Sequence, residues 1–172
     1  MDGTLAVLFL AASLTDMALN DCPTGCLAEG EATSRLSFQA AKVEFQEDLI
    51  GEEFYVGYDF GTTYGPFQFQ PTIGASVTDA GAIWVGAGAK WTSKDMFGGP
   101  FFIEASLMPG FYDQGDGPDI GGALQFRSSL GAGYEFANGV TVLASYDHRS
   151  NADTQDLNPG LETIALRVAF PF

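Results

Sequence analysis

The chain has 172 residues, of which 46% are hydrophobic and 17% charged, and its formal net charge is −15. This length fits one domain, the acidity argues against nucleic acid as a partner, and the lack of 18 consecutive apolar residues excludes a transmembrane helix. Abundant Gly (22) and Phe (15) with few charges favour a β-barrel with alternating strands.

Residues 1–28 predict a signal peptide or a flexible N-terminal segment. The apolar run LAVLFLAASL resembles the core of a signal peptide, although Asp2 stands where a basic residue is usual. A short buried helix of the mature protein is the alternative. Cys22 and Cys26 could form a disulfide in an oxidising compartment, or could be removed with the leader. The only histidine, His148, is far from both cysteines, so we predict no zinc site and no other metal or cofactor.

Residues 29–172 predict an all-β domain, an eight-stranded antiparallel transmembrane β-barrel. From about residue 35 apolar and polar side chains alternate with a period of two, as in strands. In the last strand Leu166, Val168 and Phe170 share one face while Arg167 lies on the other. Seven earlier segments alternate in the same way, and the first changes phase before Val43, which predicts a β-bulge. Eight strands enclose an interior that side chains can fill, so the inward charged residues predict a buried polar network. These inward residues are Asp59, Lys90, Glu104, Arg127, Glu135 and Arg167.

The connections predict which end of the barrel faces outward. We expect both termini in the periplasm, with short turns near residues 63–65, 93–99 and 137–139. The connections at 46–52, 112–121 and 151–161 should be longer, acidic and external, as in outer-membrane barrels. The connection at 78–81 is the exception, a short loop on the external side. The predicted location is therefore the cell outer membrane of a Gram-negative bacterium.

Three polar residues fall on the lipid-facing phase near the external end. Extending the outward phase of the last two strands places His148, Ser150 and Glu162 on one surface. Positions two apart on a strand are roughly 6.6–6.8 Å apart, a distance that an imidazole can span toward a serine oxygen. A serine, a histidine and a carboxylate in this arrangement predict an acyl-transfer triad, and the amide of Asn151 could stabilise the oxyanion. The alternative is an interfacial cluster of ordinary polar residues at loop edges.

The motifs HRSN (148–151) and NPGLE (158–162) carry a resemblance to a known family. The segment 124–172 is similar to the C-terminal part of the PagL-type lipid A 3-O-deacylases of Gram-negative outer membranes. That resemblance implies a Ser-His-Glu triad of Ser150, His148 and Glu162 with Asn151 as the oxyanion residue. It also implies a serine esterase that hydrolyses the 3-O-linked 3-hydroxyacyl chain of lipid A (lipopolysaccharide). We expect a monomer with lipid A as its partner. An outer-membrane phospholipase and a non-catalytic structural barrel are the alternatives.

Two further features have both a functional and an ordinary interpretation. The acidic turn Gly115-Asp116-Gly117 could bind Ca²⁺, but such turns are usually solvated loops. Arg149 could contact a lipid phosphate, or it could form a salt bridge at the edge of a loop.

Overall fold

The computed structural model describes Thr15 and residues 28–172, so the predicted leader, Cys22 and Cys26 lie outside the described residues. The described part contains ten strands and one short helix. The strands are β1 (Glu29–Glu31), β2 (Arg35–Phe45), β3 (Asp48–Asp59), β4 (Thr62–Tyr64), β5 (Gln70–Thr78), β6 (Ile83–Thr92), β7 (Phe101–Asp113), β8 (Leu124–Glu135), β9 (Thr141–Ser150) and β10 (Leu161–Pro171). The helix, α1, spans Lys94–Phe97.

Eight of these strands close into a barrel. Their spatial order is β10-β2-β3-β5-β6-β7-β8-β9, and every neighbouring pair is antiparallel. The predicted fold class, an eight-stranded antiparallel barrel, is therefore confirmed. Strands β1 and β4 lie outside it and pair with each other in a separate two-stranded sheet. Within residues 28–172 no helix has the length and apolar character that a membrane span requires, and this finding does not bear on β-barrels.

Side chains alternate between the barrel interior and an exposed apolar belt. In β10 the outward residues Ile164, Leu166 and Phe170 are exposed, whereas Ala165 and Ala169 between them are buried. The belt continues around the barrel. Phe101 and Phe111 each expose 72% of their surface, and an apolar surface of this extent would be unfavourable in water. Aromatic rings cluster at the end of the barrel where β2 begins and β10 ends, including the pairs Tyr58–Phe172, Phe101–Tyr134 and Tyr134–Phe136. An apolar band with an aromatic girdle at its edge is the lipid-facing surface of a transmembrane barrel.

Buried ion pairs and aromatic side chains fill the interior. Lys90 contacts Asp59 and Glu104, and Arg127 contacts Asp147 at 2.6 Å. The Arg127 guanidinium also lies 4.3 Å from the centre of the Tyr55 ring. Trp84, Met108 and Ile120 pack in the same interior. The predicted buried polar network is therefore present.

Every basic side chain of the protein is ion-paired. All seven Lys and Arg residues of the sequence lie within the described residues, and each contacts at least one carboxylate. The pairs not yet named are Arg35–Glu135, Lys42–Glu52, Lys94–Glu135, Arg149–Glu53 and Arg167–Glu104. The excess acidic charge is therefore carried by side chains outside these pairs.

Two connections differ from the prediction. The predicted long loop at 46–52 is wrong, because residues 48–52 belong to β3 and only Gln46 and Glu47 turn the chain, both with positive φ. The predicted short turn at 63–65 is also wrong, since residues 60–69 form a longer connection that contains β4. The predicted difference in connection length between the two ends is therefore not found. The predicted change of phase before Val43 is wrong, because burial alternates without a break from Arg35 to Val43, and the register shifts only between Val43 and Glu44.

A polar cavity of about 670 Å³ opens at the end of the barrel where β2 begins and β10 ends. Arg35, Lys94 and Glu135 line it, and Glu135 accepts hydrogen bonds from both cations. Burial lowers the pKa of Lys94, and its hydrogen bond to Glu135 opposes that shift. The residues of the predicted triad lie at the opposite end.

Candidate active site

His148 and Glu162 form a hydrogen-bonded pair on the lipid-facing surface. They are directly opposite each other in the antiparallel register of β9 and β10. The Nδ1 atom of His148 lies 2.9 Å from Oε1 of Glu162. A carboxylate only accepts hydrogen bonds, so this contact places the imidazole proton on Nδ1 and leaves the lone pair on Nε2. The arrangement can orient a general base, as the carboxylate of an acyl-transfer triad does.

Ser150 lies on the same face, two residues further along β9. Its partner in the β8 register is Phe126, and its side chain is half-buried. Among the described residues the structure records no hydrogen bond between Ser150 and His148. Their spacing along the strand is roughly 6.6–6.8 Å between Cα atoms, and contacts of catalytic groups are often long before substrate binds. The three predicted residues therefore share a surface, with the His148–Glu162 contact formed and the Ser150–His148 contact open.

Gly160 packs directly against the pair. It is buried, its φ is +79°, and a Cβ added there would lie 2.9 Å from Cε1 of His148 and 3.3 Å from Oε1 of Glu162. A glycine therefore allows the loop before β10 to approach the imidazole closely and to adopt a backbone conformation that L side chains disfavour. The sequence motif contained this glycine, but the alternation of strand residues gave no signal of its contact with His148.

Asn151 lies on the opposite side of the backbone from Ser150. Its side chain is fully buried, and Nδ2 is within hydrogen-bonding distance of the carbonyl oxygens of Ile120, Gly121 and Leu157. Its backbone N–H donates to Oδ1 of Asn158 at 3.0 Å. This side chain joins the loop at residues 114–123 to the loop at 151–160. The Asn151 amide thus does not reach the lipid-facing side of β9, on which Ser150 lies, and the predicted oxyanion role stays a prediction.

Arg149 also faces the interior, between His148 and Ser150 in the chain. Its guanidinium lies 2.8 Å from Oε2 of Glu53, and both side chains are almost completely buried. The salt-bridge interpretation of Arg149 is therefore confirmed, although the bridge is in the barrel core rather than at a loop edge. Asp147, two residues earlier, accepts hydrogen bonds from Gln39, Arg127 and Thr163. These inward contacts fix the backbone of β9, from which His148 and Ser150 project to the other side.

Ser128 is a polar neighbour of the site that the sequence interpretation missed. It is directly opposite His148 in the β8–β9 register, and its hydroxyl donates to the His148 carbonyl at 3.4 Å. Its place in the outward phase of β8, between Phe126 and Leu130, could have revealed it. The outward polar patch therefore spans three strands, with His148 between Ser128 and Glu162.

The acidic turn near Gly115 offers no sign of a metal site. The Asp113 carboxylate accepts a hydrogen bond from the backbone N–H of Gly115, and Asp119 accepts one from Gly121. Within residues 28–172 no group of three or more His, Cys, Asp or Glu side chains is arranged to hold a metal ion.

The fold and the site together define a class of protein, a small membrane-spanning barrel with a hydrogen-bonded histidine–carboxylate pair on its lipid-facing surface. Residues 52–171 match the sequence profile of the family described as Lipid A 3-O-deacylase (PagL). The chain belongs to this family and is an ester hydrolase.

Individual relatives agree with this assignment. The chain is 28% identical over 127 residues to the lipid A deacylase PagL of Bordetella bronchiseptica, a match that covers 67% of this chain and 68% of that protein. A crystal structure of the outer membrane enzyme PagL superimposes with a TM-score of 0.66 at 22% identity, covering 80% of this chain and 99% of the other. Neisserial surface protein A superimposes with a TM-score of 0.56 at 10% identity over 84% of this chain and 99% of the other. The two solved structures show likeness of fold alone.

Proposed function

We propose that this protein is an outer-membrane serine esterase that removes the 3-O-linked 3-hydroxyacyl chain from lipid A. The observation that carries the proposal is the His148–Glu162 hydrogen bond of 2.9 Å on the lipid-facing surface of a barrel of this family. A water-soluble enzyme has no reason to place such a pair at the edge of an apolar belt. A lipid substrate reaches this surface by diffusion within the membrane.

The proposed mechanism uses Ser150 as nucleophile and His148 as general base. The Ser150 oxygen attacks the ester carbonyl while Nε2 of His148 takes the hydroxyl proton, and Glu162 stabilises the resulting imidazolium through Nδ1. Collapse of the tetrahedral intermediate breaks the bond to the sugar oxygen, which receives the proton from His148. Water then attacks the acyl-enzyme, again with His148 as base, and releases a 3-hydroxy fatty acid and free Ser150.

Asn151 enters this proposal in two ways that an experiment can separate. As the oxyanion residue, its amide must leave the carbonyls of Ile120, Gly121 and Leu157 when substrate binds. As a positioning residue, it holds the two loops beside the site together and needs no rearrangement. The contacts of the described structure favour the positioning role.

The proposed location is the outer membrane, with the site in the outer leaflet. The exposed apolar belt supports membrane insertion, and an even number of strands places both termini at one end, away from the site. Lipopolysaccharide occupies the outer leaflet, so a site at the opposite end from periplasmic termini meets its substrate there.

The test of the proposed chemistry is Ser150→Ala. We expect a folded barrel whose deacylation of lipid A, followed by mass spectrometry, falls by several orders of magnitude. Ser145→Ala is the matched control, because Ser145 is on the same strand but faces the buried interior. Normal lipid A deacylation by folded Ser150→Ala protein would contradict the assignment of the nucleophile. Removal of a phospholipid acyl chain instead would favour the phospholipase alternative.

A further inference from the structure

Ser128 places a hydroxyl at the edge of the outward polar patch, next to apolar residues of β7 and β8. Its outward neighbours along β8 are Phe126 and Leu130, and the residue opposite it on β7 is Leu107. Lipid-facing positions of a transmembrane barrel are normally apolar, because a polar group without a partner is costly to remove from water. A hydroxyl at this position, directly beside His148, is therefore suited to a polar group of the substrate.

The Ser128 hydroxyl is only weakly engaged by the protein. Its hydrogen bond to the His148 carbonyl is 3.4 Å long. Good O–H···O hydrogen bonds are about 2.5–3.0 Å long, and the interaction weakens beyond that range. The hydrogen of a serine hydroxyl rotates about the C–O bond, so this donor can turn to a bound lipid at little cost. The same oxygen can accept a hydrogen bond.

The register determines which atom of the substrate Ser128 can reach. Ser150 is opposite Phe126, so Ser128 is its diagonal neighbour on β8. Diagonal neighbours across an antiparallel pair are about 7–8 Å apart between Cα atoms. This spacing leaves room between the two hydroxyls for a small polar group of the bound acyl chain. A substituent two carbons from the carbon that Ser150 attacks lies within reach of Ser128.

We infer that Ser128 binds the 3-hydroxyl group of the acyl chain and selects 3-hydroxyacyl esters over unsubstituted ones. This inference rests on the proposed function, because it takes Ser150 as the position of the reacting carbon. The acyl chain then leaves the site along the apolar surface of β7 and β8, where Leu107 and Leu130 flank Ser128. His148 remains free to serve Ser150 and the leaving oxygen.

The test compares two synthetic lipid A analogues that differ only in the presence of the 3-hydroxyl on the ester-linked chain. For the wild-type protein we expect a kcat/KM about five- to tenfold higher for the hydroxylated analogue, the worth of one hydrogen bond at a half-exposed site. Ser128→Val should lose this preference, so that its kcat/KM is about the same for the two analogues. Ser128→Thr has nearly the shape of valine and retains the hydroxyl, so it should keep the preference. Ser129→Ala, one residue along and facing inward, is the control for a general effect on β8.

A Ser128→Val protein that keeps the wild-type preference would overturn the inference. If both rates fall by the same factor in that protein, Ser128 acts at the ester itself and not on the 3-hydroxyl group. Folding of each variant is judged by its heat-modifiable mobility on a gel. If the Ser128→Val protein does not fold, Ser128→Ala replaces it. Failure of the proposed function is a separate result, since wild-type protein would then cleave neither analogue and a serine-directed probe would not label Ser150.

Discussion

Substitution of Gly160 by alanine tests whether the geometry of the His148–Glu162 pair controls activity. The φ of +79° at this residue should cost an alanine about 1–2 kcal/mol of stability. The new Cβ would also lie 2.9 Å from Cε1 of His148, whereas ordinary contact begins at 3.4 Å. Either the imidazole or the loop must move by the difference. Misplacement of a catalytic group by about 1 Å can cost about 10²-fold in rate, so we expect a loss of kcat of roughly one to two orders of magnitude.

Gly81→Ala separates the effect of contact from the effect of strain. Gly81 has nearly the same φ, +76°, but an added Cβ meets no atom within 4 Å. Both variants should lose similar stability, measured as the temperature at which the barrel loses its compact mobility on a gel. Only Gly160→Ala should lose deacylation, measured by mass spectrometry of lipid A at a temperature where both proteins are folded. Equal activity of the two variants would refute the reasoning, since it would mean that the loop retreats without displacing the imidazole.

Two other predictions concern the loops beside the site. Asn151→Ala removes a buried amide that contacts three backbone carbonyls. We expect this variant to lower the free energy of unfolding by about 1–3 kcal/mol and to make the loops at 114–123 and 151–160 accessible to protease. A variant whose loops stay protected and whose turnover alone falls would instead support an oxyanion role. An epitope tag inserted after Asp156 should be accessible to antibody in intact cells, whereas a tag inserted after Asn138, in the turn at the other end, should be reached only after the outer membrane is opened. Reversed accessibility of the two tags would contradict the proposed orientation.

The period-two pattern was sufficient to predict the barrel, because burial in a closed sheet depends on which face a residue occupies. The same pattern predicted that His148 and Glu162 share a face, and the register places them directly opposite each other. It could not predict the tight turn at Gln46 and Glu47, since neither is a residue that favours positive φ. It also gave no information on β1 and β4, which pair outside the barrel and follow no core-facing alternation.

Asn151 shows how a position in a motif can conflict with the phase of a strand. Its place directly after Ser150 indicated an oxyanion role, yet Asp147, Arg149 and Asn151 continue the inward phase of β9. Applying the alternation to this residue would have predicted burial. Contacts between loops, such as those of Asn151 with Gly121 and Leu157, depend on segments without any period and therefore needed the structure.

The filled interior of the barrel blocks the passage of ions through it. Trp84, Tyr55 and Met108 occupy the interior, and the cations around them are paired with carboxylates. An ion crossing the barrel would have to separate these pairs, and an uncompensated buried charge costs several kcal/mol. The lumen of this barrel is therefore closed to ions, and the proposed catalysis on the outer wall makes no use of it.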